Sequence, residues 1–232
     1  MTPQLPAAVL WDMDGTIVDT EPLWVEAQNA LLVDHGLPAL SPEQEELLVG
    51  AAWPRAAELF ASLGLRLDER RMRADVTGRV LHGMRGGLRW RPGARELLAE
   101  LREFGVPAAL VTNSTSEMAR TVVEQLPPGT IATIVSIDDV GDGKPHPEPY
   151  RLAAARLGVP AGRCVAIEDS ATGLASAVAA GCAAIGVPHG MSLPEREDYL
   201  LLPGLDGVSA GFLGEFLHGR AAARGGGRGS RA

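Results

Sequence analysis

The chain reads as an α/β protein, a doubly wound parallel sheet whose first strand is followed by an inserted, all-helical segment. Three observations carry that expectation. Four short apolar runs, Ala7 to Trp11, Val106 to Val111, Ile131 to Ile137 and Cys164 to Ile167, end in polar residues, which is the pattern of buried strands closed by turns. From Pro92 onward these runs alternate with helical segments, the βαβ order that builds a parallel sheet with helices on both faces. Between the first and second runs lie about ninety residues with helical pattern alone.

The first run ends in Asp12-Met13-Asp14-Gly15-Thr16. Carboxylates at the carboxyl end of a buried strand are costly without partners, and that edge of an open α/β sheet is where ligands bind. In isolation the stretch also fits a plain turn, with Asp12 capping a helix and Asp14-Gly15 making the bend. Helices are expected next over 22–35, stopped by Gly36, then over 41–49, 54–63 and 68–85. In the last of these Met72, Val76, Val80 and Met84 recur every four residues, an apolar stripe for packing. The connections to the rest of the chain are expected at 17–21 and 86–91, the second containing Gly86-Gly87. This division gives a core of 1–17 and 88–218 and a helical insert of 18–87.

In the second half Pro92-Gly93 opens one helix, Ser114-x-x-Glu117 reads as a capping box opening another, Pro147 starts a third, and Ser170 to Ala180 closes at Gly181. Residues 219–232 are mostly Gly, Ala, Arg and Ser without apolar periodicity, so disorder is expected there. No internal repeat is present.

With 232 residues, 46% of them hydrophobic, the chain has ample core material. A formal charge of -8 argues against nucleic acid or an anionic membrane as partner. No apolar run approaches the ~20 residues needed to span a bilayer, and no basic segment precedes a secretory hydrophobic stretch. A cytoplasmic protein is therefore expected. A monomer or weak homodimer is expected as well, with no motif in the sequence that sets the oligomeric state. Cys164 and Cys182 form no Cys-x-x-Cys pair and read as buried core thiols.

Taken together, the four strand ends supply an acid pair, Thr112-Asn113-Ser114, Gly143-Lys144-Pro145, and Glu168-Asp169-Ser170. In this order they resemble the four motifs of the haloacid dehalogenase superfamily of phosphohydrolases, and the resemblance spans residues 7 to about 210. It implies a Rossmann-like core with a mobile helical cap, inserted after the first strand, that closes over the catalytic edge. It also implies roles. Asp12 resembles the nucleophile that forms an aspartyl phosphate, and Asp14 the general acid and base. The second Asp favours phosphoryl chemistry, because dehalogenase members lack it.

All-oxygen ligands beside a phosphate point to a hard cation such as Mg2+. By the same resemblance its ligands are the Asp12 carboxylate, the Asp14 backbone carbonyl and Asp169, with Glu168 at the edge of the shell. Glu168-Asp169-Ser170 alone would equally suit a helix cap. Lys144 is the single lysine in the chain, against twenty arginines, and its compact ammonium suits joint contact with the nucleophile and a phosphoryl oxygen. Thr112, Asn113 and the N–H groups after them are expected to bind the remaining phosphoryl oxygens. His146 is read as a loop residue; His35, His82, His189 and His218 have no metal-ligand spacing.

Asp19-Thr20-Glu21-Pro22-Leu23-Trp24, with Gly143 to Tyr150 and Glu168-Asp169-Ser170, resembles the β-phosphoglucomutase-like branch, which holds sugar-phosphate mutases and sugar or polyol phosphatases. Where the mutases carry a cap His this chain has Trp24, their cap Lys and Arg fall at Val49 and Trp53, and their phosphate-binding Lys falls at Thr115. Arg55 is a partial substitute. The expectation is therefore a phosphatase of a small phosphorylated sugar or polyol, with Glu21, Trp24 and Trp53 as specificity residues. The alternatives are a β-phosphoglucomutase-type mutase, a phosphoglycolate phosphatase, and a non-catalytic phosphate-ligand binding protein.

Overall fold

The computed structural model describes residues 5–48 and 53–226. The chain divides into two compact units: one holds residues up to 18 and from 90 onward, the other residues 19–89.

In the first unit, six strands form one sheet: β1 (Ala8–Trp11), β4 (Ala108–Val111), β5 (Thr133–Val135), β6 (Cys164–Glu168), β7 (Ala183–Gly186) and β8 (Tyr199–Leu201). Their order is β5-β4-β1-β6-β7-β8, and every pair is parallel. Trp11 registers with Leu110 of β4 on one side and Ile167 of β6 on the other. The chain builds leftward from β1 through β4 and β5, then crosses to β6 and builds rightward. Such a reversal opens a crevice outside the carboxyl ends of the central strands. Asp12, Thr112 and Glu168-Asp169 all stand at that edge.

The sheet is sandwiched by helices. β1, β4, β6 and β7 are buried along their whole length, as strands covered on both faces must be. Ala8, Leu10, Ala109, Val111, Ala166 and Ala184 form a core layer with Tyr150 and Ala153 of α7 (Glu148–Arg156) and Leu174 and Ala177 of α8 (Ala171–Ala180). Helix α5 (Ala94–Glu103) packs on β4, and α9 (Ala210–Gly226) on β6 and β7. Helix α6 (Ser116–Val123) packs on β5.

The second unit contains α1 (Glu21–Asp34), α2 (Pro42–Leu48), α3 (Trp53–Ser62) and α4 (Glu69–Gly86). The stripe on α4 is buried as its spacing requires, with Met72, Val76, Val80 and Met84 all inside, and α4 packs against α1 and α3. Gly83 sits where a Cβ would come within 2.7 Å of the Leu23 side chain, which lets α1 approach closely. The chain enters and leaves this unit through β2 (Val18–Asp19) and β3 (Arg89–Trp90), which pair as a two-stranded ribbon.

Three local expectations are corrected. The cap of α6 is Thr115, whose side chain accepts from the Met118 N–H, not Ser114. β5 is short, since the Ser136 capping box turns residues 137–139 into a 3-10 turn. Residues 219–226, expected to be disordered, continue α9; the run Ala221-Ala222-Ala223-Arg224 has high intrinsic helix propensity, which outweighs its missing periodicity. Residues 227–232 lie outside the described residues.

Candidate active site

β1 delivers Asp12 to the edge of the sheet, where its N–H continues the ladder by donating to the Ile167 carbonyl at 3.0 Å. Its carboxylate is buried. Oδ1 accepts from Lys144 Nζ at 2.6 Å, while Oδ2 is enclosed with no protein hydrogen-bond donor. A buried anionic oxygen without a partner carries a desolvation cost of several kcal/mol.

Lys144 reaches Asp12 from the loop between β5 and α7, and its ammonium is also buried. Its three protons are all placed: on Asp12 Oδ1, on the Val111 carbonyl at 2.8 Å, and on Glu168 Oε1 at 2.6 Å. Burial alone would depress an ammonium pKa, but the Asp12 and Glu168 carboxylates outweigh it and hold Lys144 above its ordinary range. The Lys144–Pro145 peptide bond is cis. Asn113 clamps this loop: its Oδ1 accepts from the Lys144 N–H at 2.9 Å and its Nδ2 donates to the Lys144 carbonyl at 3.2 Å. Both ends of the Asn113 side-chain amide are therefore engaged by the Lys144 backbone.

Glu168 is fully buried, and protein donors engage both its oxygens. Oε1 accepts from Lys144 and from the Tyr150 hydroxyl at 2.5 Å, and Oε2 from Ser170 Oγ at 3.2 Å. Burial pushes its carboxyl up to about 7, Lys144 pulling down and the Asp12 charge adding to the rise. Asp169 is pushed up to about 9 by burial and by the Asp12 and Glu168 carboxylates, against the pull of Lys144. Oxygens of Asp12, Glu168 and Asp169 lie within 4.8 Å of one another. Only one cation, Lys144, contacts this acid cluster among the interactions of the described residues. An orphaned buried oxygen, raised carboxyl pKa values and an all-oxygen ligand set fit a hard divalent cation.

Two glycines make the crowding feasible. At Gly15, with φ +83°, a Cβ would lie 2.0 Å from Asp169 Oδ2. At Gly173 a Cβ would lie 1.9 Å from Glu168 Oε2, so the first turn of α8 admits the buried carboxylate. Ser170 caps that helix through the Gly173 N–H at 3.0 Å.

Asp14 follows the turn. Its Oδ2 accepts from Ser114 Oγ at 2.7 Å and from Thr112 Oγ1 at 3.4 Å. The Thr112 hydroxyl oxygen accepts in turn from the Ser114 N–H at 2.9 Å. Asp12, Asp14, Thr112, Asn113, Lys144, Glu168 and Asp169 thus converge at one sheet edge in the first unit. Glu21, Trp24 and Trp53 belong to the second unit, where the two indoles meet edge to face with centroids 6.1 Å apart. Val49 and Gly50 lie outside the described residues.

Sequence reasoning passed over Ser114 and Tyr150. The hydroxyl of Ser114 was assigned to a helix cap, and Tyr150 sits among alanines where an aromatic reads as core. The signal for Tyr150 was its place six residues after Lys144 on the next helix. His146 lies with Asp142 and Glu148 in a second, more exposed group within 4.8 Å. There Glu148 Oε2 accepts from the Asp142 N–H, and His146 Nδ1 from the Glu148 N–H, so the cluster closes the start of α7 as a loop lock.

Residues 6–181 match the family described as haloacid dehalogenase-like hydrolase. The N-acetylmuramic acid 6-phosphate phosphatase of Pseudomonas aeruginosa is 31% identical over 81% of this chain and 84% of its own length. A phosphoglycolate phosphatase of Chromobacterium violaceum is 33% identical over 79% and 85%. Among solved structures, CbbY from Rhodobacter sphaeroides in complex with phosphate superposes with a TM-score of 0.76, at 27% identity, covering 90% of this chain and 99% of that one.

Proposed function

The chain belongs to the haloacid dehalogenase-like hydrolase family, and we propose that it is a Mg2+-dependent phosphatase acting on a small phosphorylated sugar or polyol through an aspartyl phosphate on Asp12. The observation that carries this reading is the Asp12 carboxylate itself. One oxygen is fixed on a buried lysine and the other is enclosed without a protein donor, in a carboxylate that has an oxygen within 4.8 Å of oxygens of Glu168 and Asp169.

The residues divide the work. Asp12 is oriented for in-line attack on phosphorus, which replaces one slow displacement by two faster ones. Lys144, held by Asp12, Val111 and Glu168, presents fixed positive charge where negative charge must be accommodated. Thr112 Oγ1 and the Asn113 N–H at the carboxyl end of β4 are donors for phosphoryl oxygens. Asp14 gives a proton to the departing alcohol and afterwards takes one from the water that releases phosphate. Asp12, Asp169 and the Asp14 carbonyl would hold Mg2+, which when bound offsets charge on the nucleophile and the phosphoryl group. Glu168, with both oxygens engaged, acts chiefly by orienting Lys144. We read the second unit as the cap, with Glu21 and the Trp24–Trp53 pair as its specificity residues.

Two features support hydrolysis over a mutase reaction. Thr115 stands where the mutases have a phosphate-binding lysine, and here its side chain caps α6. Trp24 stands where they have a cap histidine. A mutase must retain a second phosphate, which these positions supply no cation to hold.

The test is phosphate release with Mg2+ from hexose, pentose, hexitol, N-acetylmuramic acid and glycolate phosphates, with isomerisation of β-glucose 1-phosphate followed in parallel. Metal-dependent release concentrated on a sugar or polyol phosphate supports the proposal. Efficient isomerisation with little release would replace it by a mutase, and release concentrated on glycolate phosphate by a phosphoglycolate phosphatase.

A further inference from the structure

We propose that Ser114 is a positioning residue for the general acid and base: its hydroxyl holds Asp14 Oδ2 and so fixes the rotamer from which Asp14 exchanges its proton. The proposal rests on the reading of Asp14 as the proton donor to the leaving group.

Ser114 is held on both sides by its backbone. Its N–H donates to Thr112 Oγ1 at 2.9 Å, and its carbonyl accepts from the Ile137 N–H at 3.2 Å. The hydroxyl has no part in capping α6, because Thr115 does that. It donates instead to Asp14 Oδ2 at 2.7 Å, across a hundred residues of sequence. A serine hydroxyl has one proton, and this contact uses it.

Thr112 makes the second contact to the same oxygen, but at 3.4 Å, beyond the ordinary range for O–H···O. The two hydroxyls are therefore unequal. Thr112 gives up little when its proton turns to a phosphoryl oxygen, whereas Ser114 at 2.7 Å remains on Asp14. A donor fixed on Oδ2 at this distance holds the Asp14 carboxyl in one rotamer. Without Ser114 that oxygen loses its 2.7 Å contact and keeps the long one to Thr112, for which substrate binding competes. A general acid held in one rotamer is what proton transfer to a departing alcohol requires.

The experiment separates the alcohol-release step from the phosphate-release step in single turnover, for Ser114→Ala, Ser114→Thr and Asp14→Asn. The substrates are an alkyl phosphate, sorbitol 6-phosphate, and p-nitrophenyl phosphate, whose leaving group departs without a proton. Ser114→Ala is expected to slow sorbitol release about 10- to 100-fold and the later phosphate release from both substrates by a similar factor, while nitrophenol release changes less than about threefold. Ser114→Thr, which keeps the hydroxyl, restores both steps to within about threefold. A loss of folding or of metal would slow nitrophenol release as well, so an equal slowing of both leaving groups overturns the proposal. So does an unchanged sorbitol rate. Asp14→Asn must show the same split more strongly; if it slows both leaving groups alike, the reading of Asp14 as acid fails and the proposal falls with it. If Asp14→Asn shows the split and Ser114→Ala does not, Asp14 keeps its role and Ser114 alone loses the one proposed.

Discussion

Replacing Lys144 by Met keeps the length of the side chain and removes its charge from a buried ion cluster. Asp12 Oδ1 and the Val111 carbonyl lose a donor, while Glu168 keeps Tyr150 and Ser170. Removing one partner of a buried ion pair costs about 3–5 kcal/mol. Protonation of a stranded carboxyl limits the total, so a loss of about 4 kcal/mol is expected, or about 8–16 °C in Tm for a chain of this size. The loss also depends on pH. Glu168 already titrates near 7 in the folded protein, pushed up mainly by burial, against an unfolded value of about 4.3. A carboxyl whose folded pKa is raised costs stability as pH rises from the unfolded value to the folded one. Without Lys144 that folded value rises further, so the variant loses least near pH 5 and progressively more toward pH 8. Urea unfolding in EDTA at pH 5, 6.5 and 8 reads this directly. A loss below about 1 kcal/mol, or one independent of pH, would refute the account of the buried triad. Lys144→Arg should recover part of the stability, because it restores charge, and little of the activity, because a planar guanidinium does not fit three acceptors arranged around one ammonium.

Three further outcomes follow from the same geometry. Mg2+ at about a hundred times its Kd should stabilise the protein by about 2.7 kcal/mol, visible as a rise in Tm that Asp169→Ala removes; an equal rise in that variant would place the cation elsewhere. Gly15→Ala forces a Cβ against Asp169 at a positive φ, so it should raise the Mg2+ concentration for half-maximal activity about tenfold. Gly129→Ala, at φ +82° with nothing near its Cβ, should carry backbone strain alone and leave that concentration unchanged. Asp139 is held down to about 2: burial opposes this, but the Arg156 guanidinium and the Ser136 donors outweigh it. A depressed carboxyl contributes stability above its unfolded pKa that is lost as pH falls through the folded one. Asp139→Ala should therefore cost about 1 kcal/mol at pH 7, allowing for solvent screening, and almost nothing at pH 2, as measured by urea midpoints.

The strand ends were legible because their chemistry is written locally. An apolar run closed by Asp12-Met13-Asp14, by Thr112 or by Glu168-Asp169 announces both a buried strand and a polar edge. That the strands run parallel follows from the βαβ alternation, while their order comes only from the folded chain. The stripe on α4 was legible for the same reason, a period matched to one structure. What escaped depends on contacts between distant segments. β2 and β3 are two residues each, too short for any period. Ser114 could be read as a cap because a hydroxyl serves either end of a helix or a carboxylate a hundred residues away. That Asn113 clamps the Lys144 backbone with both ends of its side-chain amide was not legible either, because the two segments are thirty-one residues apart. The difference between Glu168 and Asp169 is likewise tertiary, since it is Tyr150 and Lys144 that hydrogen-bond the first.

The central claim is that Asp12 carries the phosphoryl group between substrate and water, and the stereochemical course at phosphorus tests it most directly. With a substrate ester bearing a chiral, isotopically labelled phosphoryl group, two successive in-line displacements give net retention in the released phosphate analogue, which is the predicted result. Net inversion would show that water attacks the substrate directly, and would remove Asp12 from the role of nucleophile.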